Sequence, residues 1–196
     1  MKRFVLFTFV LSCLCLPTAM RAQNSEDHVE IGAFADYLRF YAPPTPINFV
    51  GLGGRVGFNV RSNIQLEAEM SYDFRRDFTS TFSNGVSTEL VRTHLRPLTG
   101  LFGPKFETSG GAVRAFVTGK AGFINFSATN SGALPGFTDA VGGITTGVTK
   151  FAIYPGGGIE GFLGPIGLRL EVGDEIYFAG GAQNNLRVTF GPTFRF

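Results

Sequence analysis

Leu186-Arg187-Val188-Thr189-Phe190-Gly191-Pro192-Thr193-Phe194-Arg195-Phe196, the stretch that ends the chain, decides how the rest is read. Leu186, Val188, Phe190, Pro192, Phe194 and Phe196 fall on one parity. Arg187, Thr189, Gly191, Thr193 and Arg195 fall on the other. A period of two is the period of a β-strand, so this segment presents one wholly apolar face and one polar face with two arginines.

The start of the chain is of a different kind. Met1-Lys2-Arg3 is a short positive lead, and residues 4–16 form an apolar run broken only by Thr8 and Ser12. Small residues follow, so residues 1–22 read as a secretory signal peptide cleaved near Ala22. Residues 23–196 are the mature domain. The apolar run is too short to cross a bilayer core, which takes ~20 residues. Cys13 lies early within it and is continued by Leu14-Cys15-Leu16, which argues against a lipoprotein.

Removing the signal takes Lys2, Arg3 and Arg21 and leaves 14 Lys+Arg against 15 Asp+Glu. The mature chain is near neutral, which argues against a nucleic-acid partner. Cys13 and Cys15, the only cysteines, leave with the signal, so no disulfide supports the mature fold. Beyond the signal no apolar run reaches 18 residues, so no transmembrane helix is available. With 22 Phe and 27 Gly, the chain falls into short alternating stretches separated by Gly, Pro and Asn clusters.

Eight such stretches are expected as strands: residues 29–40, 49–60, 64–74, 95–107, 112–126, 149–161, 166–178 and 186–196. The links between them alternate in length. Tight turns lie at 61–63, 108–111 and 162–165, and longer links lie at 41–48, 75–92, 127–148 and 179–185. Asn84-Gly85 is expected to turn the second long link. With the N-terminus in the periplasm, every short link falls on that side and every long one outside, the asymmetry of outer-membrane barrels. The fold expected is all-β: an eight-stranded antiparallel up-and-down transmembrane β-barrel.

Alternation alone does not say which face is inside, because a soluble barrel or sandwich carries the same dyad. Charge decides it. Over residues 29–37, 50–58, 64–74, 98–106, 113–123, 151–159, 166–172 and 186–196 the apolar parities carry no Asp, Glu, Lys or Arg. The other parities carry Glu30, Asp36, Glu67, Glu69, Asp73, Glu107, Glu160 and Glu171, with Arg55, Lys105, Arg114, Lys120, Lys150, Arg169, Arg187 and Arg195. That face is also Gly-rich, which suits a narrow lumen. The interior of an eight-stranded barrel is just wide enough for side chains to fill. A lumen charge network is therefore expected from Arg55, Glu67, Glu69, Asp73, Arg114, Lys120, Glu160, Arg169, Glu171, Arg187 and Arg195. The competing reading of these residues is an ion pathway, but Phe34, Leu101, Phe116 and Tyr154 share their parity and favour a plug.

Aromatic girdles are expected from Tyr37, Tyr72, Phe74, Phe123 and Phe151 at the outer side and Phe102, Phe106, Phe194 and Phe196 at the inner. Pro104, Pro155 and Pro192 fit a ladder badly, since each removes a hydrogen bond. Pro104 and Pro192 are expected near periplasmic ends, whereas the pattern offers no place for Pro155. Asp174 falls on the lipid parity, so its strand must leave the bilayer or bulge there.

Catalytic chemistry finds little to work with. The histidines are His28, in the polar lead-in, and His94, at the outer end of the fourth strand. The position two residues after His94 is Arg96, not the serine that deacylase-type barrels carry, and Asp77 or Glu89 lie near it only in sequence. No catalytic, cofactor or metal site is expected. Gly156-Gly157-Gly158 lacks the Lys-Ser/Thr of a phosphate loop.

Thr189, Gly191, Phe194 and Phe196 match position by position the C-terminal insertion signal of bacterial outer-membrane β-barrels. With the strand count and loop asymmetry, residues 29–196 resemble the small outer-membrane barrel family of OmpA-type and OmpX-type domains. The resemblance implies insertion by the outer-membrane assembly machinery with periplasmic chaperones, and a Gram-negative outer membrane with its lipid and lipopolysaccharide as surroundings. No peptidoglycan-binding domain follows Phe196, so the wall-tethering role of OmpA-type proteins is not carried over. The function expected is a non-enzymatic structural or surface-interaction role, with an extracellular ligand sought at loops 75–92 and 127–148. The alternative is a small porin-like channel or transporter.

Overall fold

The computed structural model describes residues 28–41, 46–83, 88–108, 111–131 and 148–196. The expected signal peptide and the Asn84-Gly85 turn lie outside them. Eleven strands follow in order: β1 Val29–Phe40, β2 Ile47–Arg61, β3 Ile64–Asp73, β4 Arg76–Ser83, β5 Thr88–Glu107, β6 Val113–Ser131, β7 Val148–Leu163, β8 Ile166–Asp174, β9 Ile176–Phe178, β10 Ala182–Gln183 and β11 Leu186–Arg195. They make eight staves, because β3 and β4 both pair β5, β8 and β9 both pair β7, and β10 runs on into β11. Each stave pairs antiparallel with its sequence neighbours, and β11 pairs back onto β1 from Glu30↔Arg195 to Arg39↔Leu186. Phe196 N–H donates to the Val29 carbonyl at 2.9 Å, extending the closing seam to the last residue. The barrel is closed, as a chain in lipid requires, since an open edge would leave backbone groups unpaired.

The β7–β8 turn is two residues, Gly164 and Pro165, and Gly164 adopts φ +64°, a conformation side chains disfavour. At the other end, the expected polar link 75–92 is largely strand. β4 pairs β5 out to Ser83↔Thr88, so the fourth stave begins at Thr88 and not near residue 95. Between β3 and β4 the register slips by one residue. Tyr72 pairs Leu98 and Arg76 pairs Leu95, so four steps on one strand oppose three on the other, a bulge.

Four prolines stand where a ladder is interrupted. Pro97 lies opposite that bulge. Pro104 falls between the pairs Phe102↔Ala121 and Lys105↔Thr118, and its carbonyl accepts from Thr118 Oγ1 at 3.0 Å. Pro192 falls between Gly32↔Thr193 and Ala35↔Phe190. Pro155, which the sequence pattern left without a place, falls between Gly156↔Gly173 and Ile153↔Ile176, opposite the break between β8 and β9. A residue without an N–H costs least where no partner carbonyl waits for it.

The two faces separate cleanly. Leu52, Phe102, Val117, Phe151, Ile159 and Phe190 are among the large apolar side chains left exposed on the outer surface. The lipid-side aromatics expected as girdles lie there too: Tyr72, Phe74, Phe123, Phe102, Phe106, Phe194 and Phe196 are exposed and Tyr37 is half-buried. Glu30, Asp36, Arg55, Glu67, Glu69, Lys105, Lys120, Glu160, Arg169, Glu171, Arg187 and Arg195, on the other parity, are buried inside the barrel.

Candidate functional site

The lumen is filled by stacked layers, built by alternate residues of each stave. Nearest the short turns, Lys105 Nζ lies 3.0 Å from Glu160, 3.3 Å from Glu107 and 3.8 Å from Glu30. Arg195 reaches Glu160 at 3.1 Å and Glu30 at 3.4 Å, and its guanidinium stands 3.2 Å over the Phe162 ring. Arg114 pairs Glu107 at 2.7 Å and is the most exposed cation of this layer.

The second layer centres on Lys120. Its ammonium contacts Glu67, Glu69 at 2.6 Å and Glu171 at 3.0 Å. These three carboxylates converge closely enough to resemble a metal site, but the ammonium holds the centre and supplies the compensating charge. Arg169 bridges Glu67 and Glu171, and Arg55 donates to Glu171 at 2.8 Å and to Thr189 Oγ1 at 2.9 Å. The guanidinium of Arg169 lies 4.1 Å from the Phe116 ring centre and that of Arg55 4.3 Å from Phe34, so two inward aromatics insulate the layer and face the cations.

Arg187 makes the third layer. It donates to both oxygens of Asp36 (3.1 and 3.0 Å), to Glu69 at 2.8 Å and to Ser71 at 3.1 Å, and lies 3.5 Å from Glu175. Glu175 also accepts from Thr99 at 2.9 Å. Asp73 is buried beside this layer at the end of β3, with no hydrogen bond to its Oδ1.

Above the charges the filling changes. Leu38, Phe49, Leu95, Ile124, Ala152 and Tyr154 are at most 1 % exposed and pack with Phe40, Leu101 and Phe126. Phe40 is the hub of an aromatic group, with Phe126 at 5.4 Å, Tyr177 stacked at 5.6 Å and Phe49 at 6.3 Å. This apolar cap closes the long-loop end of the lumen.

The structure thus brings Arg55, Glu67, Glu69, Lys120, Glu160, Arg169, Glu171, Arg187 and Arg195 into one connected interior, with Arg114 at its edge and Asp73 at its upper margin. Lys150 is half-buried near the cap. Two features escaped the sequence reading. Glu175 continues the inward parity of Arg169 and Glu171 across the strand break, and the cap continues it in five staves. In both cases the signal was the parity itself, followed past the charged residues. His94 stands opposite Asp77 in the β4–β5 register.

Of the residues expected to form an insertion signal, Thr189 is buried and accepts from Arg55, whereas Phe194 and Phe196 are exposed on the outer face. Gly191 has a packing reason of its own. A Cβ there would come within 2.0 Å of the Ala33 carbonyl, so no larger residue fits the seam.

An apolar outer belt around a filled polar interior defines a small transmembrane β-barrel. No protein-family model matches the chain, and no curated protein matches it. Solved structures do. The N-terminal β-barrel domain of OprF from Pseudomonas aeruginosa is 15 % identical with a TM-score of 0.53, over 88 % of this chain and all of that one. Ail of Yersinia pestis, solved in complex with the heparin analogue sucrose octasulfate, is 15 % identical with a TM-score of 0.52, over 86 % and 97 %. The outer membrane protein OprG from Pseudomonas aeruginosa is 10 % identical with a TM-score of 0.51, over 88 % and 97 %. The chain has the fold of the small eight-stranded outer-membrane barrels.

Proposed function

We propose that residues 23–196, freed of a signal peptide at 1–22, form a non-enzymatic integral outer-membrane barrel. It acts through its outward loops, around residues 75–92 and 127–148, while its lumen is a structural plug. The insertion machinery would read Thr189, Gly191, Phe194 and Phe196. One observation carries the reading: the lumen is filled along its length, with charge paired to charge below and apolar side chains above. A pore needs vacant cross-section, and the paired charges and packed apolar side chains that line this interior support a plug, with the outer surface as the place for function. The sulfated sugar held by Ail is a property of that protein. At 15 % identity it suggests a class of ligand to try.

The test is to replace residues 84–87 and 132–147 with short Gly-Ser links and compare adhesion of intact cells to immobilised sulfated polysaccharides and matrix proteins. Loss of adhesion with the barrel still folded is the expected result, and equal adhesion would overturn the surface role. The alternative, a small porin-like channel, would be favoured by discrete conductance that changes in Glu67→Gln, Glu69→Gln or Arg169→Gln.

A further inference from the structure

The charged lumen is not balanced at every height. In the lowest layer Glu30, Glu107 and Glu160 face Lys105, Arg114 and Arg195, three against three. In the middle layer Glu67, Glu69 and Glu171 face Arg55, Lys120 and Arg169, again three against three. In the upper layer, among the described residues, Asp36, Asp73 and Glu175 face Arg187 alone. Two carboxylates are in excess there, under the apolar cap. All three acids are at most 2 % exposed.

The hydrogen bonds say which two. Arg187 turns its Nε to both oxygens of Asp36 and its other nitrogens to Glu69 and Ser71. Asp36 is thus matched, and Glu69 is shared with Lys120. Glu175 lies 3.5 Å from Arg187; its Oε1 accepts from Thr99, while its Oε2 accepts no hydrogen bond among the described residues. Asp73 Oδ1 accepts none either. The charges that act on Asp73 are those of Asp36 on β1, Arg187 on β11 and Glu175. Glu175 feels Arg187, Asp36 and Glu69 on β3. The uncharged polar groups of the layer are Ser71 on β3, Thr99 on β5 and Tyr154 on β7, whose hydroxyl also lacks a partner. Lys150, the next inward cation on β7, is half-buried and stands two positions beyond Ala152, level with Ile124.

The layer sits at the outer margin of the belt. Glu175 falls in the break between β8 and β9, and Asp73 ends β3, with Phe74, Arg75 and Arg76 exposed beyond it. We propose that this layer is a proton-operated latch: Asp73 and Glu175 each hold a proton while the cap is closed, and losing those protons loosens the cap. A carboxylate buried without a partner costs so much that the group takes up a proton instead. The protonated group can also donate, which the ionised one cannot. Stripped of both protons, the layer would crowd three like charges around one guanidinium beneath Leu38, Leu95 and Tyr154.

In the unfolded chain these carboxyls ionise near pH 4, so above that range folding takes up two protons. The stability they contribute is present at low pH and is lost as pH rises. The test is urea unfolding of the mature chain in phospholipid vesicles across pH, wild type beside Asp73→Asn, Glu175→Gln and the double variant. Above about pH 5 the folding constant of the wild type falls about 100-fold per pH unit relative to that of the double variant, and each single variant removes about tenfold of this. The other carboxylates titrate alike in both chains and cancel. Because the amides keep the shape of the protonated acids, the double variant outlasts the wild type in alkali. Hydrogen exchange at the Leu38, Leu95 and Ala152 amides, corrected for its intrinsic pH dependence, quickens in alkali in the wild type and not in the double variant. Infrared spectra read the protons directly, as the carbonyl stretch of protonated carboxyls at neutral pH that the double variant loses. Parallel pH profiles for the two chains, no protonated carboxyl in the wild type, or cap exchange that ignores pH would each overturn the proposal. So would wild-type stability that rises with sodium or calcium at fixed pH and ceases to do so in the double variant, which would put a metal cation in place of the protons.

Discussion

The lower lumen and the cap above it fill the same barrel by opposite means. Below, seven cations among the described residues (Arg55, Lys105, Arg114, Lys120, Arg169, Arg187 and Arg195) are each paired with carboxylates contributed by other staves. Above, Leu38, Phe40, Phe49, Leu95 and Ile124 need only volume and contact. The difference lies in what each region specifies. Ion pairs are satisfied in one register alone, because a slip of one residue would turn every charge into lipid. Apolar packing tolerates exchange of similar shapes. The charged half therefore fixes the closure of the barrel, and the cap seals it.

Breaking the charged half is expected to cost most. Arg169→Leu leaves Glu67 and Glu171 short of a partner in a buried layer, and should destabilise the folded barrel by about 3–5 kcal/mol. The loss is read from urea-dependent folding into phospholipid vesicles. Leu95→Ala in the cap removes volume but strands no charge, and about 2–4 kcal/mol is expected from the same titration. If both changes cost the same as an exposed substitution, neither region is packed as described.

The outer belt supplies a third arm. Val117→Arg, at an exposed position on the outer face, should cost about 2–3 kcal/mol if that face meets hydrocarbon. In detergent-free water it should instead help solubility. Smallest is Arg114→Gln at the mouth of the lower lumen, where partial exposure screens the pair with Glu107. A change below about 1 kcal/mol is expected, and a loss as large as that of Arg169→Leu would mean that the short-turn mouth is sealed from water.

Much of this was written in the sequence. Parity in residues 186–196 assigned the faces, and the alternation of short and long links assigned the staves. What parity cannot give is the neighbour across the barrel. Arg55 and Glu171 are 116 residues apart in sequence, and only barrel closure makes them partners. Strand ends were obscured where β pairing runs on through polar sequence, as it does in β4 and the outer part of β5. The bulge between Asp73 and Arg76 was hidden because it adds one residue without a Gly or Pro on that strand to mark it. Pro155 was opaque for a related reason: its tolerance depends on a break in the facing strand between Asp174 and Ile176, not on its own surroundings.

The most direct test of the filled lumen is ion conductance of the folded, purified chain in a planar bilayer. The account predicts no discrete current steps for the wild type, and steps when Arg169→Gly in the charged half is combined with Phe40→Ala and Phe49→Ala in the cap. Stable open steps from the wild-type protein would mean that a continuous aqueous path passes both fillings, and would contradict the account.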